Sequence, residues 1–490
     1  MKKDIKKISS ILLVAVIASL ASCGNGGQGG SSNNSENTED APVVGRNVVD
    51  TAWKLPNKGW QDKEVTINFY STMGQNLVPI VDDYIEEFNE LYPSITVVHT
   101  QPGGYDQVRD QIKTELSTGN GPDLAYCYPD HVALYNKTRT VVTLDNLIVD
   151  PQIGLTQAQE DDFVEGYYEE GRQFGDGLMY TLPFSKSTEV LYYDATYFAD
   201  HNIKVPNHWF STSDTDDTSM EYVCKQLKQL DPDCTPLGYD SEANWFITMT
   251  EQMKSPYTSA TGNHFLFDND ANKEFVTKIK AWREKGYVTT QTIHGGYTSG
   301  LFTATDGNRS YMSIGSSAGA TKQRPTKVDG KYPFEVGIAP IPQHDENNKK
   351  AISQGPSICL FNHGNADKVM ASWLLLKYLT TTVELQAQFS MDSGYVPVIK
   401  SVKDNPIYAQ FLAEADGGDN VAALSANVCT DAMDTYFTSP AFIGSSAARD
   451  QVGALLTQAL ELGLSHDSAE FTAQLDKMFA DAVVECEYNS

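Results

Sequence analysis

The sequence predicts an α/β protein with two lobes. Its 490 residues exceed the length that one compact hydrophobic core usually serves, so we expect the chain to divide. Residues 65–126 alternate strand, helix, strand, helix and strand, a pattern typical of a parallel sheet with helices on its faces. A second set of strands follows residue 188, where the pattern changes.

The first half of the alternation is a strand, a helix and a second strand. In VTINFY (65–70) apolar and polar residues alternate, which predicts a strand. Residues 77–91 carry apolar side chains at i, i+3, i+4 and i+7, which predicts an amphipathic helix that ends before Pro93. SITVVH (94–99) predicts the second strand.

A second helix over 105–116 and a third strand over 123–126 complete the alternation, with a Gly-rich break between them. Ligands of open parallel sheets bind beyond the carboxyl ends of the strands. Those ends place Tyr70, Ser71 and the segments 101–105 and 127–131 at the expected site.

The remaining elements are less regular. We predict strands at 189–193, 310–314, 334–338 and 357–361. Residues 368–490 are mainly helical in pattern, with strongly apolar helices at 369–380 and 451–464.

The charge balance excludes two classes of partner. Sixty-four acidic residues against 36 lysines and arginines give a formal net charge of −28. Phosphate-backbone binding needs a cationic excess, so we expect no nucleic-acid partner. The same charge disfavours lying flat on anionic lipid.

The N-terminus predicts export. Lysines 2, 3, 6 and 7 precede an apolar stretch at 11–21 that is shorter than the roughly 20 residues of a transmembrane helix. Residues 1–22 therefore fit a signal peptide. The alternative is an uncleaved N-terminal helix that contains a cysteine.

Leu20-Ala21-Ser22-Cys23-Gly24 resembles the bacterial lipobox. The resemblance implies that Cys23 receives a diacylglyceryl group and becomes the new N-terminus. Acyl chains such as palmitate would then hold the protein at the extracytoplasmic face of the cell membrane. Residues 23–60, rich in Gly, Ser and Asn near their start, would form a lipidated flexible tether.

The chain has seven cysteines and no Cys-x-x-Cys spacing, so we predict no zinc site, no other metal and no cofactor. Cys224 and Cys234 are near enough in sequence to pair, but buried free thiols are the expected state of most mature cysteines. Residues 268–272 open like a calcium loop. Lys273 and Ile279 occupy positions that an EF-hand gives to Gly and Glu, so a helix start is the simpler interpretation.

From about residue 64 onward the chain resembles the extracytoplasmic solute-binding proteins of ABC importers, the large group that binds sugars and related polyols. The matching segments occur in the expected order: 65–97, GNGPDLAYCYPD (119–130), LPFSKSTEVLYYD (182–194), RSYMSIGSSAG (309–319), VGIAPIPQ (336–343) and SGYVPV (393–398). The resemblance implies the α/β two-lobed periplasmic-binding-protein fold with the ligand in a cleft between the lobes. Lobe 1 would take residues 62–187 and 300–350, and lobe 2 residues 188–299 and 351–490.

The resemblance also implies a monomer without enzymatic turnover that delivers its solute to a permease and its ATPase. Within the group, the motifs are similar to those of members that bind glycerol phosphates, and a neutral sugar or oligosaccharide stays open. The residues that match this subgroup are Tyr105, Asp130, Ser187, Ser316, Ser317, Gly355, Tyr395 and, for phosphate, Arg449.

A hydroxyl-rich ligand needs convergent hydrogen-bonding groups and flat aromatic faces. Asp130 would accept hydrogen bonds, and the serines at 187, 316 and 317 would donate them. Four aromatic residues are candidates to stack on the ligand or cap it, with core or surface packing as their alternative role: Tyr105, Trp245, Tyr297 and Tyr395.

Two other functions compete. Residues 315–319 match G-x-S-x-G after a strand, which would make Ser317 the nucleophile of a surface hydrolase with a histidine downstream at 344, 363 or 466. The chain lacks an HGGG-type oxyanion segment, which disfavours this interpretation. A lipid-anchored carbohydrate-binding adhesin is the other alternative.

Overall fold

The computed structural model describes residues 55, 59–74 and 77–488. These residues form twelve strands in two sheets. The strands are β1 (Val65–Tyr70), β2 (Ile95–Thr100), β3 (Leu124–Cys127), β4 (Thr181–Pro183), β5 (Ser187–Asp194), β6 (Leu237–Tyr239), β7 (Val288–Thr290), β8 (Met312–Ser316), β9 (Val336–Pro340), β10 (Ala351–Gln354), β11 (Ser357–Leu360) and β12 (Tyr436–Phe437).

Helices pack on both sheets. Those of the first part of the chain are α1 (Val78–Leu91), α2 (Tyr105–Ser117), α3 (Pro129–Tyr135), α4 (Asp145–Ile148), α5 (Gln157–Asp162), α6 (Glu165–Glu170), α7 (Ala195–Asp200), α8 (Met220–Leu230) and α9 (Glu242–Gln252). Those of the second part are α10 (Asp270–Glu284), α11 (Gln291–His294), α12 (Ser299–Phe302), α13 (Ala366–Thr381), α14 (Val383–Ser393), α15 (Pro406–Ala413), α16 (Val421–Asp431), α17 (Ser445–Glu461) and α18 (Ala469–Tyr488).

The first sheet has the strand order β2-β1-β3-β11-β4. β1 pairs in parallel with β2 and β3, as the strand–helix alternation predicted, and β11 is antiparallel to β3 and β4. Ile67 and Phe69 of β1 are buried, as are Val81, Ile85 and Phe88 along one face of α1. Their periodicity of 2 and 3.6 residues explains why both elements form where the sequence places them.

The second sheet has the order β12-β10-β5-β8-β6-β7, with β9 also paired to β5. β5 is antiparallel to β8, β9 and β10. The division expected from the sequence differs here. The strands between residues 300 and 350, expected in lobe 1, pair in the second sheet, and β11, expected in lobe 2, pairs in the first. The hydrophobic pattern of a segment predicts that it is a strand, but it does not predict which other strand it pairs with.

We define the first lobe as the first sheet with the helices packed on it, and the second lobe as the second sheet with its helices. The chain crosses between them at residues 184–186, at residues 355–356 and once more after α14. The third crossing follows because α14 packs on α1, whereas α15 packs on α16, which lies against β9.

Lys186 contacts all three crossings. Its buried ammonium donates a hydrogen bond to the carbonyl of Gly355 (2.9 Å) and forms an ion pair with the Glu170 carboxylate. Its own carbonyl accepts a hydrogen bond from the Val396 amide (2.6 Å). The Ser357 hydroxyl donates to the same Glu170 oxygen (2.9 Å), so the charge pair has further polar partners in the core.

Gly355 is required at the second crossing. Its φ is +89°, and a Cβ there would lie 2.2 Å from the carbonyl oxygen of Ser185. Both the left-handed backbone and the close approach of the two crossing segments favour glycine.

All six described cysteines are free and buried, which confirms the expected state of these thiols; Cys224 and Cys234 do not pair. The structure has a helix start where the sequence opens like a calcium loop. Asn269 caps α10 by accepting a hydrogen bond from the Asn272 amide (3.1 Å). Within the described residues no group of acidic, His and Cys side chains is arranged to hold a metal ion.

The predicted signal peptide, Cys23 and most of the tether lie outside the described residues. The end of the predicted tether differs from expectation, because the side chain of Trp60 is buried in the hydrophobic core. The carbonyl of Trp60 accepts a hydrogen bond from the Gln152 amide (3.3 Å). Among the helices of the described residues, none combines the length and apolar character needed to cross a membrane.

Lys186→Met should destabilise the protein strongly. The substitution leaves the Glu170 carboxylate buried without its cation, and breaking a buried ion pair from one side costs about 3–5 kcal/mol. We expect this loss in the free energy of unfolding measured with urea, and a smaller loss in the double variant Lys186→Met/Glu170→Gln.

Lys280→Met is the matched control for this experiment. Lys280 is also buried, but its ammonium donates mainly to the carbonyls of Leu460 and Leu462. Equal losses in the two single lysine variants would contradict a special role for the pair at the crossings.

Candidate ligand-binding cleft

A cavity of about 630 Å³ lies between the lobes. This volume is within the usual range for small-molecule sites. The first lobe contributes Tyr128, Pro129, Asp130 and Glu170 to its lining. The second lobe contributes most of the remaining polar groups, among them Glu189, Asp240, Asn244, Tyr257, Gln291, Ser316, Lys322, Ser353 and Arg449.

The first-lobe wall is formed where β3 ends and α3 begins. Asp130 lies in the first turn of α3, and Tyr128 immediately precedes that helix. The Tyr128 ring packs on the Tyr105 ring with centroids 4.7 Å apart. Tyr105 in turn hydrogen-bonds to Tyr395, so these two predicted residues lie in a layer behind Tyr128. Burial raises the pKa of all three phenols, which stay neutral hydrogen-bonding groups.

The floor of the cleft is the crossing region. Glu170 lines the cavity, and Lys186 and Ser357 both donate hydrogen bonds to its Oε2. The predicted residues Ser187 and Gly355 lie in this region, close to the crossing segments. The first starts β5 and is buried, and the second accepts the Lys186 hydrogen bond.

The second-lobe wall carries a chain of hydrogen bonds that ends at Arg449. The guanidinium donates to Oδ1 of Asn244, and Nδ2 of Asn244 donates to Oε1 of Glu189 (3.0 Å). The Tyr239 hydroxyl donates to Oε2 of the same carboxylate (2.6 Å). α17, which carries Arg449, also contacts α3 across the cleft, so Arg449 and Asp130 approach the cavity from opposite lobes.

The Glu189 carboxyl has an unusual pKa. Burial raises the pKa from 4.5 to about 7, and the charge of Asp240 adds to this effect. The hydrogen bonds from Tyr239 and Asn244 and the positive charge of Arg449 act in the opposite direction. Desolvation prevails because Glu189 is only 2% exposed.

Tyr297 forms part of the rim and is 68% exposed. The next residue is fixed, because the amide and hydroxyl of Thr298 both donate to Oδ1 of Asp240 (2.6 and 2.7 Å). The exposed ring of Tyr297 therefore lies at the cleft entrance, next to the buried residue Thr298 that fixes this segment of the chain.

Of the residues proposed from sequence, Asp130, Ser316, Arg449 and the stacking candidate Tyr297 line the cavity. Tyr70 and Ser71 lie at the end of β1 but outside the lining: the Tyr70 hydroxyl donates to Glu115 (3.4 Å), and the Ser71 hydroxyl is 2.8 Å from Nε2 of His99. Glu170, Glu189 and Asn244 were not expected at the site, although Glu189 falls within a segment that matched the family. Tyr128 lies in the segment 127–131, which was expected there.

Trp245 is a core residue rather than a residue of the cleft surface. It has no solvent exposure, and its ring stacks on Tyr239 with centroids 4.5 Å apart and planes at 9°. The side chain of Trp245 points from α9 toward the second sheet, so its ring packs against Tyr239 of β6 and does not face the cleft.

The surroundings of Ser317 do not support a hydrolase. This serine is 1% exposed, and its hydroxyl oxygen accepts a hydrogen bond from the Thr188 amide (3.2 Å). Two of the three candidate bases are engaged elsewhere: Nε2 of His363 lies 2.9 Å from the carbonyl of Pro122, and Nδ1 of His466 lies 2.7 Å from Glu284. A nucleophile needs a base within hydrogen-bonding reach and an accessible oxygen.

Glu189→Gln should change how stability depends on pH. A carboxyl whose pKa is raised on folding stabilises the folded state fully below pH 4.5, and this contribution is lost as the pH rises through 7. Glutamine cannot lose that proton. The unsubstituted protein should therefore lose stability between pH 4 and pH 8, whereas the variant should not. We expect the difference in free energy of unfolding, variant minus unsubstituted protein, to increase by on the order of 3 kcal/mol over this range.

Urea unfolding at both pH values measures this gain. Glu242→Gln is the matched control, because Glu242 is also a buried carboxylate, bonded to the Thr292 amide (2.9 Å). A difference between variant and unsubstituted protein that stays constant with pH would contradict the assignment.

Comparison with known proteins agrees with this architecture. The sugar-binding protein MalE from Xanthomonas citri superposes with a TM-score of 0.67 at 17% identity, covering 86% of this chain and 98% of that one. UgpB from Mycobacterium tuberculosis, solved in complex with glycerophosphocholine, gives 0.63 at 16% identity, covering 86% and 98%. These likenesses confirm the two-lobed fold.

Sequence comparison supplies the family. The sn-glycerol-3-phosphate-binding periplasmic protein UgpB of Escherichia coli strain K12 is 23% identical over 378 residues, which are 72% of this chain and 79% of that protein. The model of the family described as bacterial extracellular solute-binding protein matches residues 83–414. With that match spanning more than half of its length, the chain belongs to the bacterial extracellular solute-binding proteins.

Proposed function

We propose that this solute-binding protein captures a sugar, oligosaccharide or related polyol and delivers it to an ABC permease and its ATPase. One observation carries the proposal: a cavity of about 630 Å³ takes its polar lining from both lobes, which three crossings join within the described residues. A ligand that contacts both lobes stabilises the closed arrangement and shifts the equilibrium toward it.

The chemistry of the lining suits hydroxyl groups. Carboxylates of Asp130 and Glu170 accept hydrogen bonds, while the Arg449 guanidinium and the Ser316 hydroxyl donate them. A polyol has donors and acceptors on each carbon, so it satisfies both kinds of group on entry. The rings of Tyr128 and Tyr297 offer apolar faces for the C–H faces of a sugar ring.

A glycerol-phosphate ligand is the second candidate. Arg449 lines the cleft, and its guanidinium is the kind of group that binds phosphate bidentately. The relatives named for sn-glycerol 3-phosphate support this alternative. Four carboxylates also line the cavity, at positions 130, 170, 189 and 240, and they oppose a dianion.

An adhesin and an enzyme are weaker proposals. An adhesin would hold a polymer at its surface, whereas this cavity is a cleft between the lobes. Small-angle scattering distinguishes them, because a solute-binding protein contracts when it closes on ligand and an adhesin does not. The burial of Ser317 supports a protein without catalytic turnover.

We further propose that Cys23 carries the lipid that anchors the protein at the extracytoplasmic face of the membrane. Support comes from the sequence: the basic start, the short apolar stretch and the lipobox-like residues 20–24 precede a chain of an extracellular family. A tether after the anchor would keep a monomeric binding protein near its permease.

A thermal-shift screen tests the solute. Protein lacking residues 1–23 is heated with neutral sugars, polyols and glycerol phosphates. A ligand that binds only the folded state stabilises it by about 2.7 kcal/mol at one hundred times Kd, so the midpoint should rise with concentration. No rise with any of these small solutes would overturn the proposal.

Arg449→Ala separates the two ligand classes. If the guanidinium binds phosphate, the variant should lose the shift caused by a glycerol phosphate and keep the shift caused by a neutral sugar. Arg324→Ala is the control, because Arg324 donates to the carbonyl of Asp419 away from the cleft. A glycerol-phosphate shift that survives in Arg449→Ala would exclude the phosphate role.

Cys23→Ser tests the anchor. Without the thiol no diacylglyceryl group can attach, so the variant should move from the membrane fraction to the soluble fraction of the producing bacterium. Retention of the serine variant in the membrane, as judged by fractionation and immunoblotting, would contradict lipid attachment at this residue.

A further inference from the structure

The residues behind Arg449 form a chain with a fixed direction. Asn244 uses its amide oxygen to accept from Arg449 and its amide nitrogen to donate to Glu189. Glu189 uses one oxygen for Asn244 and the other for Tyr239. Asn244 and Glu189 are each engaged on both sides, so reversal of the Asn244 amide would break two bonds.

We propose that Asn244 and Glu189 are positioning residues for Arg449, which fix its guanidinium toward the cleft and set the charge that an anionic ligand group meets there. Asn244 supplies the orientation, since its oxygen holds one guanidinium nitrogen and leaves the other donors for ligand. Glu189, on the other side of Asn244, supplies a carboxylate whose negative charge partly compensates the positive charge of Arg449. This inference rests on the proposed function, because it takes Arg449 as a ligand-contacting residue.

The charge of Glu189 depends on the groups that face it. Tyr239 on β6, Asp240 after that strand and Arg449 on α17 all act on it, and Glu170 and Lys322 share the cavity lining. Desolvation brings its pKa to about 7. Below this pH the carboxyl is neutral and the guanidinium charge is less compensated, so anion affinity should rise as the pH falls.

The first test needs no ligand. Trp245 stacks on Tyr239, whose hydroxyl donates to Glu189, so its fluorescence should report the protonation of that carboxyl. The Trp245 signal is the difference between the protein and its Trp245→Phe variant. We expect a transition near pH 7 that disappears in Glu189→Gln and moves to higher pH in Arg449→Met, because the positive charge lowers the pKa of Glu189.

The fluorescence test also separates positioning from general destabilisation. Asn244→Ala should move the transition as well, because it removes the group that joins the other two. Glu242→Gln, at a buried carboxylate outside the chain, should leave the transition in place. A transition unchanged in both Arg449→Met and Asn244→Ala would overturn the inference, whatever the cleft binds.

The second test uses two probes whose charge is constant between pH 6 and pH 8: glycerophosphoglycerol, an anionic phosphodiester, and maltotriose, which is neutral. Calorimetry should show the anionic probe binding about fivefold more tightly at pH 6 than at pH 8, with that dependence absent in Glu189→Gln. Asn244→Ala should weaken the anionic probe about fivefold at both pH values and spare the neutral one.

The outcomes of the two tests are distinct. If neither probe nor any other small solute binds, the proposed function fails, and the fluorescence transition still decides whether Glu189 and Arg449 are coupled. If the anionic probe binds with the same pH dependence in Glu189→Gln as in the unsubstituted protein, the positioning role is wrong while the binding function stands.

Discussion

The buried ion pair between Lys186 and Glu170 is the constraint on which the architecture depends. Lys186 lies in the first crossing, holds the carbonyl of Gly355 in the second and pairs by its backbone with Val396 in the third. One residue thus ties together all the segments about which the lobes can rotate. Both charges are buried, so neither can leave the pair without a large desolvation cost, and the pair therefore holds the crossing segments together.

The same constraint fixes the chemistry of the cleft floor. Glu170 faces the cavity from the first lobe, and Glu189 faces it from β5, directly after the first crossing. A floor lined with carboxylates suits a ligand that presents many hydroxyl groups. Arg449 then has a particular role, because it brings a strong positive charge to the second-lobe wall opposite Asp130.

Local elements were predictable from sequence and long-range partners were not. The segments of β1, α1, β2, α2 and β3 were found because each has its own periodicity within a few residues. The sheet that β8 and β9 join depends on β5, which is far away in the chain, and no local pattern states it. Trp245 shows the same limit within the site. An aromatic residue can stack on a sugar ring or pack in a core, and only the packing of α9 shows that Trp245 belongs to the core.

Charged residues in the interior explain part of what the sequence did not predict about the cleft. Lys186, Glu170 and Glu189 are of residue types that are almost always exposed, so a sequence gives no reason to place them in the interior. They are retained there because each has a partner set that satisfies it: the ion pair for the first two, and Tyr239 with Asn244 for the third. Glu189 differs from the pair because Asn244 stands between its carboxylate and the guanidinium of Arg449. Burial brings the pKa of its carboxyl to about 7, so the protonation of this residue of the second-lobe wall changes near neutral pH.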